Sequence, residues 1–207
     1  MIKKLLKMFI LFCICGVMIN GRGKENMELT NEEMKEISNY GKVKILDEID
    51  GERLTKFKKQ IFYYEVKNFE SEEFYSKLKS NLGNEKYQIF FTGISMDEDS
   101  NQKICVIKSK DKYESLRIFK TNGSNYGFDT EEVIEKLKKW DSLYGIEIKG
   151  VDKDWVYITL NKLPSNLNDF SKEIYEFCPD TVEQGVGSIS SLKILIQERK
   201  EIFLWWD

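Results

Sequence analysis

An α+β fold, with a mixed sheet flanked by helices and a smaller α+β lead-in, is predicted by three features of the 207-residue sequence. Short runs dense in aromatic and β-branched residues, such as 60–66 (QIFYYEV) and 87–92 (YQIFFT), have strand character. Between such runs lie apolar residues at helical spacing, as in Val133, Leu137, Trp140 and Tyr144. Two capping boxes, Thr30 with Glu33 and Asp129 with Glu132, mark helix starts. A hydrophobic fraction of 41% and an aromatic fraction of 13% are ample for a core in a chain of this length.

In chain order, the Thr30 box opens a short helix through Met34 and Ile37 that stops near Gly41. Residues 43–46 form a strand and Asp50-Gly51 a turn. Residues 60–66 are the next strand, after which Ser71 caps a helix presenting Phe74, Tyr75, Leu78 and Leu82 on one face up to Gly83. Residues 87–92 return as a strand, so this stretch has a βαβ-like or α+β order. The polar stretch 96–102 is the candidate linker between two halves. Residues 103–108 give another strand and 111–119 a helix. The Gly and Asn content of residues 121–130 (TNGSNYGFDT) makes them a loop, and Asp129 opens the helix already noted. Residues 146–148 and 155–160 form a hairpin about the turn 150–154. A helix starts at Leu163-Pro164-Ser165 and carries Leu167, Phe170, Ile174 and Phe177 at helical spacing. Ser188 caps a further helix with Ile189, Leu192 and Leu195 or Ile196, and residues 202–206 close the chain as a strand.

The first segment has the layout of an export signal. Lys3, Lys4 and Lys7 precede an unbroken apolar run at residues 8–19, shorter than the ~20 residues of a membrane-spanning helix. Gly21-Arg22-Gly23 offers a small-x-small cleavage site, so residues 1–23 are expected to be a signal peptide. A buried helix or a short uncleaved anchor is the competing account. Cys13 and Cys15 follow Phe12 and Ile14, where a lipobox has Gly, Ala or Ser, which disfavours a lipid anchor. The expected location is extracytoplasmic, periplasmic or secreted, with membrane contact only through the leader or such an anchor. Cleavage takes away Lys3, Lys4, Lys7 and Arg22 and no acidic residue, leaving 28 basic against 35 acidic side chains, a net of −7. That balance argues against a nucleic-acid partner. The remaining chain divides into a lead-in at 24–97 and a main domain at 98–207.

The chain contains no histidine. Ser-His-Asp and Cys-His nucleophile pairs are therefore excluded, as are His-containing metal sites. Any acid or base has to be Asp, Glu, Lys, Tyr or Cys. Export would permit a disulfide between Cys105 and Cys178; the alternative is two unpaired thiols, with Cys105 buried in its apolar run 104–107.

The densest special chemistry lies at residues 176–188 (EFCPDTVEQGVGS). Cys178 falls at a helix C-terminus, where the dipole disfavours a thiolate. Asp180, Glu183 and Asp129 are the carboxylates available for acid–base work, but no nucleophile accompanies them, and Asp129 already has a sufficient role as an N-cap. Gly185-Val186-Gly187-Ser188 ahead of a helix could hold an anion, though it lacks the lysine of a P-loop and is also an ordinary tight turn. Of Trp205 and Trp206, strand alternation sends one inward and one outward. No metal site and no cofactor is expected.

Several ordered motifs carry a resemblance. Thr121-Asn122-Gly123 with residues 126–130 (YGFDT), Asp154-Trp155-Val156, residues 175–180 (YEFCPD), Gln184-Gly185-x-Gly187 and the terminal Leu204-Trp205-Trp206-Asp207 are similar to the bacterial family known as domain of unknown function 4253, over residues 98–207. The resemblance implies no established activity. At the level of fold it resembles domains found near bacterial toxin–immunity and interaction modules. The expected function is a non-enzymatic, exported binding protein with a protein partner, immunity-like in one version. Its contact surface is expected to comprise Asn122, Tyr126, Asp129, Asp180, Glu183, Gln184, Gly185, Gly187 and Trp206. The alternative is a hydrolase or transferase working through Asp129, Asp180 and Glu183.

Overall fold

A computed structural model describes residues 29–49, 52–53, 60–83, 86–94, 97 and 99–207. The expected leader at 1–23, with Cys13 and Cys15, and the Asp50-Gly51 turn lie outside the described residues. The fold is α+β. Helix α1 (Asn31–Ser38) leads to β1 (Lys44–Leu46) and a short ladder of β2 (Glu48–Ile49) with β3 (Glu52–Arg53). Next come β4 (Ile61–Lys67), α2 (Asn68–Leu82), β5 (Tyr87–Thr92), β6 (Asn101–Lys108) and α3 (Glu114–Phe119). The chain continues through a 3-10 turn (Ser124–Tyr126), α4 (Thr130–Tyr144), β7 (Ile146–Val151), β8 (Trp155–Leu160) and α5 (Leu167–Phe177). A π turn (Thr181–Val186), α6 (Ile189–Arg199) and β9 (Glu201–Trp205) complete it.

Seven strands form one sheet in the order β1-β4-β6-β5-β7-β8-β9. Every neighbouring pair is antiparallel except β5 with β7, where Phe91 lies opposite Gly150. The strand–helix–strand unit β4–α2–β5 has parallel strands, but β6 is inserted between them and pairs with both. β5 is thus followed in the chain by its own sheet neighbour, and strands from before and after residue 98 belong to one sheet.

Two cores follow from this arrangement. Helices α3 to α6 pack on one face around Trp140, Leu137, Ile174, Leu192 and Ile196. On the other face α1 and α2 cover β4, β6 and β5 through Ile37, Tyr75, Leu78 and Leu82. The middle strands are buried on both faces, which is why β5 is buried along its whole length rather than at alternate residues. Strands β8 and β9 alternate: Val156, Ile158, Ile202 and Leu204 point into the helical core, while Tyr157 and Phe203 on the opposite face stay partly exposed. Hydrogen bonds from Leu160 N–H to Lys200 O (2.8 Å) and from Trp206 N–H to Asp154 O (2.9 Å) bracket the β8–β9 register. In that register the even-numbered residues of β9 bond to β8, and the carbonyls of Phe203 and Trp205 point away from it.

Both capping boxes are present, with both hydrogen bonds of each. Three helix starts differ from the sequence expectation. Helix α2 begins at Asn68, directly after β4, because the Asn68 N–H is taken by Ser100 O (3.1 Å). Ser71 lies inside the helix, buried, with its hydroxyl donating to Asn68 O (2.7 Å). Asp111 forms a turn that precedes α3, accepting from Tyr113 N–H. The helix expected from Leu163-Pro164-Ser165 starts at Leu167, where Asn166 caps α5 by accepting from Asp169 N–H.

Helix α1 is fastened by a buried carboxylate. Glu33 is 7% exposed and bonds the Thr30 N–H and the ammonium groups of Lys86 and Lys108. Burial alone pushes its carboxyl up, but these hydrogen bonds outweigh it and bring its pKa down to about 2. A carboxylate with a depressed folded-state pKa adds stability above its unfolded value, and that stability is lost as pH falls through the folded value. The urea midpoint is therefore expected to fall between about pH 4.5 and pH 2, and Glu33→Gln should make that slope measurably shallower, leaving the part contributed by other carboxylates such as Asp180. Parallel midpoints for the two proteins across this window would contradict it.

Candidate functional site

The sequence-selected loop and turn meet at the C-terminal end of β9. The loop is tied at its base: Thr121 donates to Asp152 O (2.6 Å) and the Asn122 N–H to Lys153 O (2.9 Å). Gly123 and Phe128 exchange both backbone hydrogen bonds. A Cβ on Gly123 would stand 2.9 Å from the Trp206 indole, so only glycine lets the loop lie on that ring. Gly127, at φ 82°, turns the chain back toward the Asp129 cap.

The turn after α5 is built by Cys178, Pro179 and a single π turn, a feature that often marks functional positions. Asp180 is 3% exposed. Its Oδ1 accepts from the Tyr126 hydroxyl (2.8 Å) and from Gln184 Nε2 (3.1 Å), and its Oδ2 from the Asp207 N–H (3.0 Å). Burial pushes the carboxyl up, and the three donors more than offset it, so its pKa lies below the usual carboxylate range and it is ionised at neutral pH. The hydrogen bond to Asp180 pushes the Tyr126 hydroxyl up to about 12, so it keeps its proton and donates. One carboxylate thereby joins a loop, a turn and the end of a strand that are distant in sequence.

The other selected residues fall around this junction. Glu183 is exposed and accepts from the Tyr175 hydroxyl (2.7 Å). Gly185 and Gly187 belong to the π turn and its end, Gly187 at φ 81°, and Ser188 caps α6 by accepting from Ser191 N–H. Trp206 is 3% exposed, packed edge-to-face with Phe177, its Nε1 donating to Phe177 O (3.2 Å). It is the floor of the junction rather than an exposed platform; Trp205 is the outward one. Asp129 sits apart in its capping box, and no hydrogen bond links it to Asp180 or Glu183 among the described residues.

Cys178 and Cys105 are both buried free thiols. The Cys178 thiol donates to Trp205 O (3.0 Å), and the Thr181 hydroxyl donates to Phe203 O (3.0 Å). Burial pushes the Cys178 thiol up to about 11, the wrong direction for a nucleophile at neutral pH.

A cleft of about 520 Å³ opens beside the junction. Asn122, Ser124 and Asn125 form one wall, Asp152, Lys153 and Asp154 the other, and Trp206 with Asp207 the floor. Asp152 is committed to the Thr92 hydroxyl and the Gly93 N–H. The side chains of Asn125, Asp154 and Asp207 make no hydrogen bond or ion pair among the described residues. Of these lining residues only Asn122 and Trp206 were selectable from sequence as site residues. The signals for the opposite wall were the turn at 150–154, which says only that the chain reverses, and the motif Asp154-Trp155-Val156, which carries the family resemblance but no role. A second cleft, about 610 Å³, lies on the far side of the loop, between Lys120, Gly127 and the start of α4. No group of three or more metal-ligating side chains occurs among the described residues, and no described helix is long and apolar enough to cross a membrane.

Fold and site together define an α+β protein whose loop, turn and last strand converge on one buried carboxylate beside an acidic cleft. By sequence, residues 103–207 match the family described as Domain of unknown function (DUF4253), and the chain belongs to that family. No curated protein and no solved structure matches the chain. The matched region begins within β6 and contains every residue of the junction and its cleft.

Proposed function

We propose that the chain is an exported, non-enzymatic binding protein that engages a protein partner, in the manner of an immunity protein, through the Asn122–Asp207 cleft and its rim. The observation that carries this reading is the Tyr126–Asp180 hydrogen bond, which fuses the two sequence-selected stretches into one preorganised surface. Asp154 and Asp207 face the cleft with no ion pair among the described residues, so the complementary patch on the partner is basic. Asp180 is shielded and its hydrogen bonds are internal, which fits a scaffold role better than that of a catalytic acid or base. The lysine-rich start and apolar run at 8–19 support export.

A photo-cross-linking residue at Asn125 is expected to trap one protein from the cell envelope. Asp154→Lys should abolish the adduct while leaving the urea midpoint within about 0.5 kcal/mol of wild type, as for other surface changes. An adduct indifferent to Asp154→Lys, or turnover of a substrate lost in Asp180→Asn without loss of folding, would sink the binding reading. Protein from native cells is expected to begin after Gly23; an intact Met1 on cytoplasmic protein would remove the export part alone.

A further inference from the structure

The loop between the two clefts has the construction of a fastened flap. Its base is immobilised by the Gly123–Phe128 pair, by Asn122 N–H to Lys153 O, and by the Trp206 ring beneath Gly123. Its tip, residues 124–127, is exposed throughout. Within the tip the backbone bonds are local, from Ser124 N–H to Asn122 Oδ1, Tyr126 N–H to Gly123 O and Gly127 N–H to Ser124 O. Among the described residues, one hydrogen bond leaves the tip for the rest of the protein, from the Tyr126 hydroxyl to Asp180. The tip is bounded by Gly123 and Gly127, and a Cβ on Gly127 would meet nothing within 4 Å. Two glycines thus flank a short turn held at its far end by a single side-chain bond, and both Ser124 of the tip and Asn122 of the base line both clefts.

We infer that residues 124–127 are a latched flap, closed by the Tyr126–Asp180 bond, whose release joins the two clefts into one continuous groove. Asp180 is well suited as the catch. Gln184 and the Asp207 N–H hold the carboxylate in place from the other side, so it keeps its position when the tyrosine leaves. Opening exchanges one charge-assisted hydrogen bond for water and breaks none of the loop's internal bonds, which makes it a local motion rather than partial unfolding. The flap is a property of the fold and stands whether or not the cleft binds a basic partner.

Backbone ¹⁵N relaxation on the full chain tests it without any ligand. In wild type, the amides of residues 122–129 are expected to have order parameters near about 0.85, the range of rigid backbone. In Tyr126→Phe, which removes the latch hydroxyl alone, the amides at positions 124 to 126 should drop below about 0.6 or acquire new exchange broadening on the μs–ms scale. Thr121, Phe128 and Val182 should keep their wild-type values. Asp180→Asn, which weakens the acceptor, should shift the same tip amides in the same direction. Unchanged tip amides in Tyr126→Phe would overturn the latch. So would a loss of order that spreads through residues 121 and 128 to the π turn, since that would make the hydroxyl a general structural support.

Discussion

A fragment beginning at residue 98 is expected not to fold. It would retain β6 but lose β4 and β5, the strands that flank it on both sides. Ile104 and Val106, fully buried against the α1–α2 side, would face water with no helix to cover them. β7 would lose its parallel neighbour as well, and the helical core would lose Ile61 and Phe90. Two exposed edges beside an apolar strand favour association over folding. Residues 98–207 alone should give a collapsed amide spectrum and no cooperative urea transition, whereas 29–207 should give a dispersed spectrum and a single transition. A cooperative transition from the shorter fragment would show that residues before 98 are dispensable. The family match starts inside β6, so its first residue falls in a strand whose two sheet neighbours lie before it in the chain.

Trp206→Ala should cost about 3–5 kcal/mol, the range for truncating a large buried aromatic side chain. The indole fills the space beneath Gly123, meets Phe177 edge-on and donates to Phe177 O. Removing it leaves a cavity and an unpaired carbonyl under the loop. Against a typical total of about 5–15 kcal/mol, the loss is a large share of the stability. Trp205→Ala, on the partly exposed side of the same strand, should shift the urea midpoint far less. Equal shifts for the two would contradict the placement of Trp206 as the floor of the junction. The consequence for binding experiments is direct: lost partner capture in Trp206→Ala would report a damaged fold, so Asp154 is the informative position.

Local features of this fold were legible in the sequence, and long-range ones were not. Thr30 with Glu33 and Asp129 with Glu132 announce their helices because both hydrogen bonds of a capping box lie within four residues. Ser71 misled because Ser before an acidic, aromatic run looks like a cap, while the actual start was decided by Ser100 across the sheet. Strand order was hidden for the same reason, since nothing in residues 101–108 says that they insert between β4 and β5. At the site, residues 176–188 stood out by composition. Asp180 had no assignable role there because its partners, Tyr126 and the Asp207 N–H, lie 54 and 27 residues away. Asn125 gave no signal beyond that of a loop and Asp154 none beyond a turn and a family motif of no assigned role, and their place in the lining of one cleft depends on the closed sheet.

The outward carbonyls of β9 have a bearing on how the molecule behaves in company. The last strand of a sheet normally offers its free backbone groups to any extended chain that arrives, and self-templated growth starts there. In this protein Cys178 at the end of α5 and Thr181 at the start of the π turn occupy the acceptors of Trp205 and Phe203. A passing strand would have to displace both before pairing could begin. The hydroxyl and the thiol are thus engaged in blunting an open sheet edge, a duty that no activity assay would register.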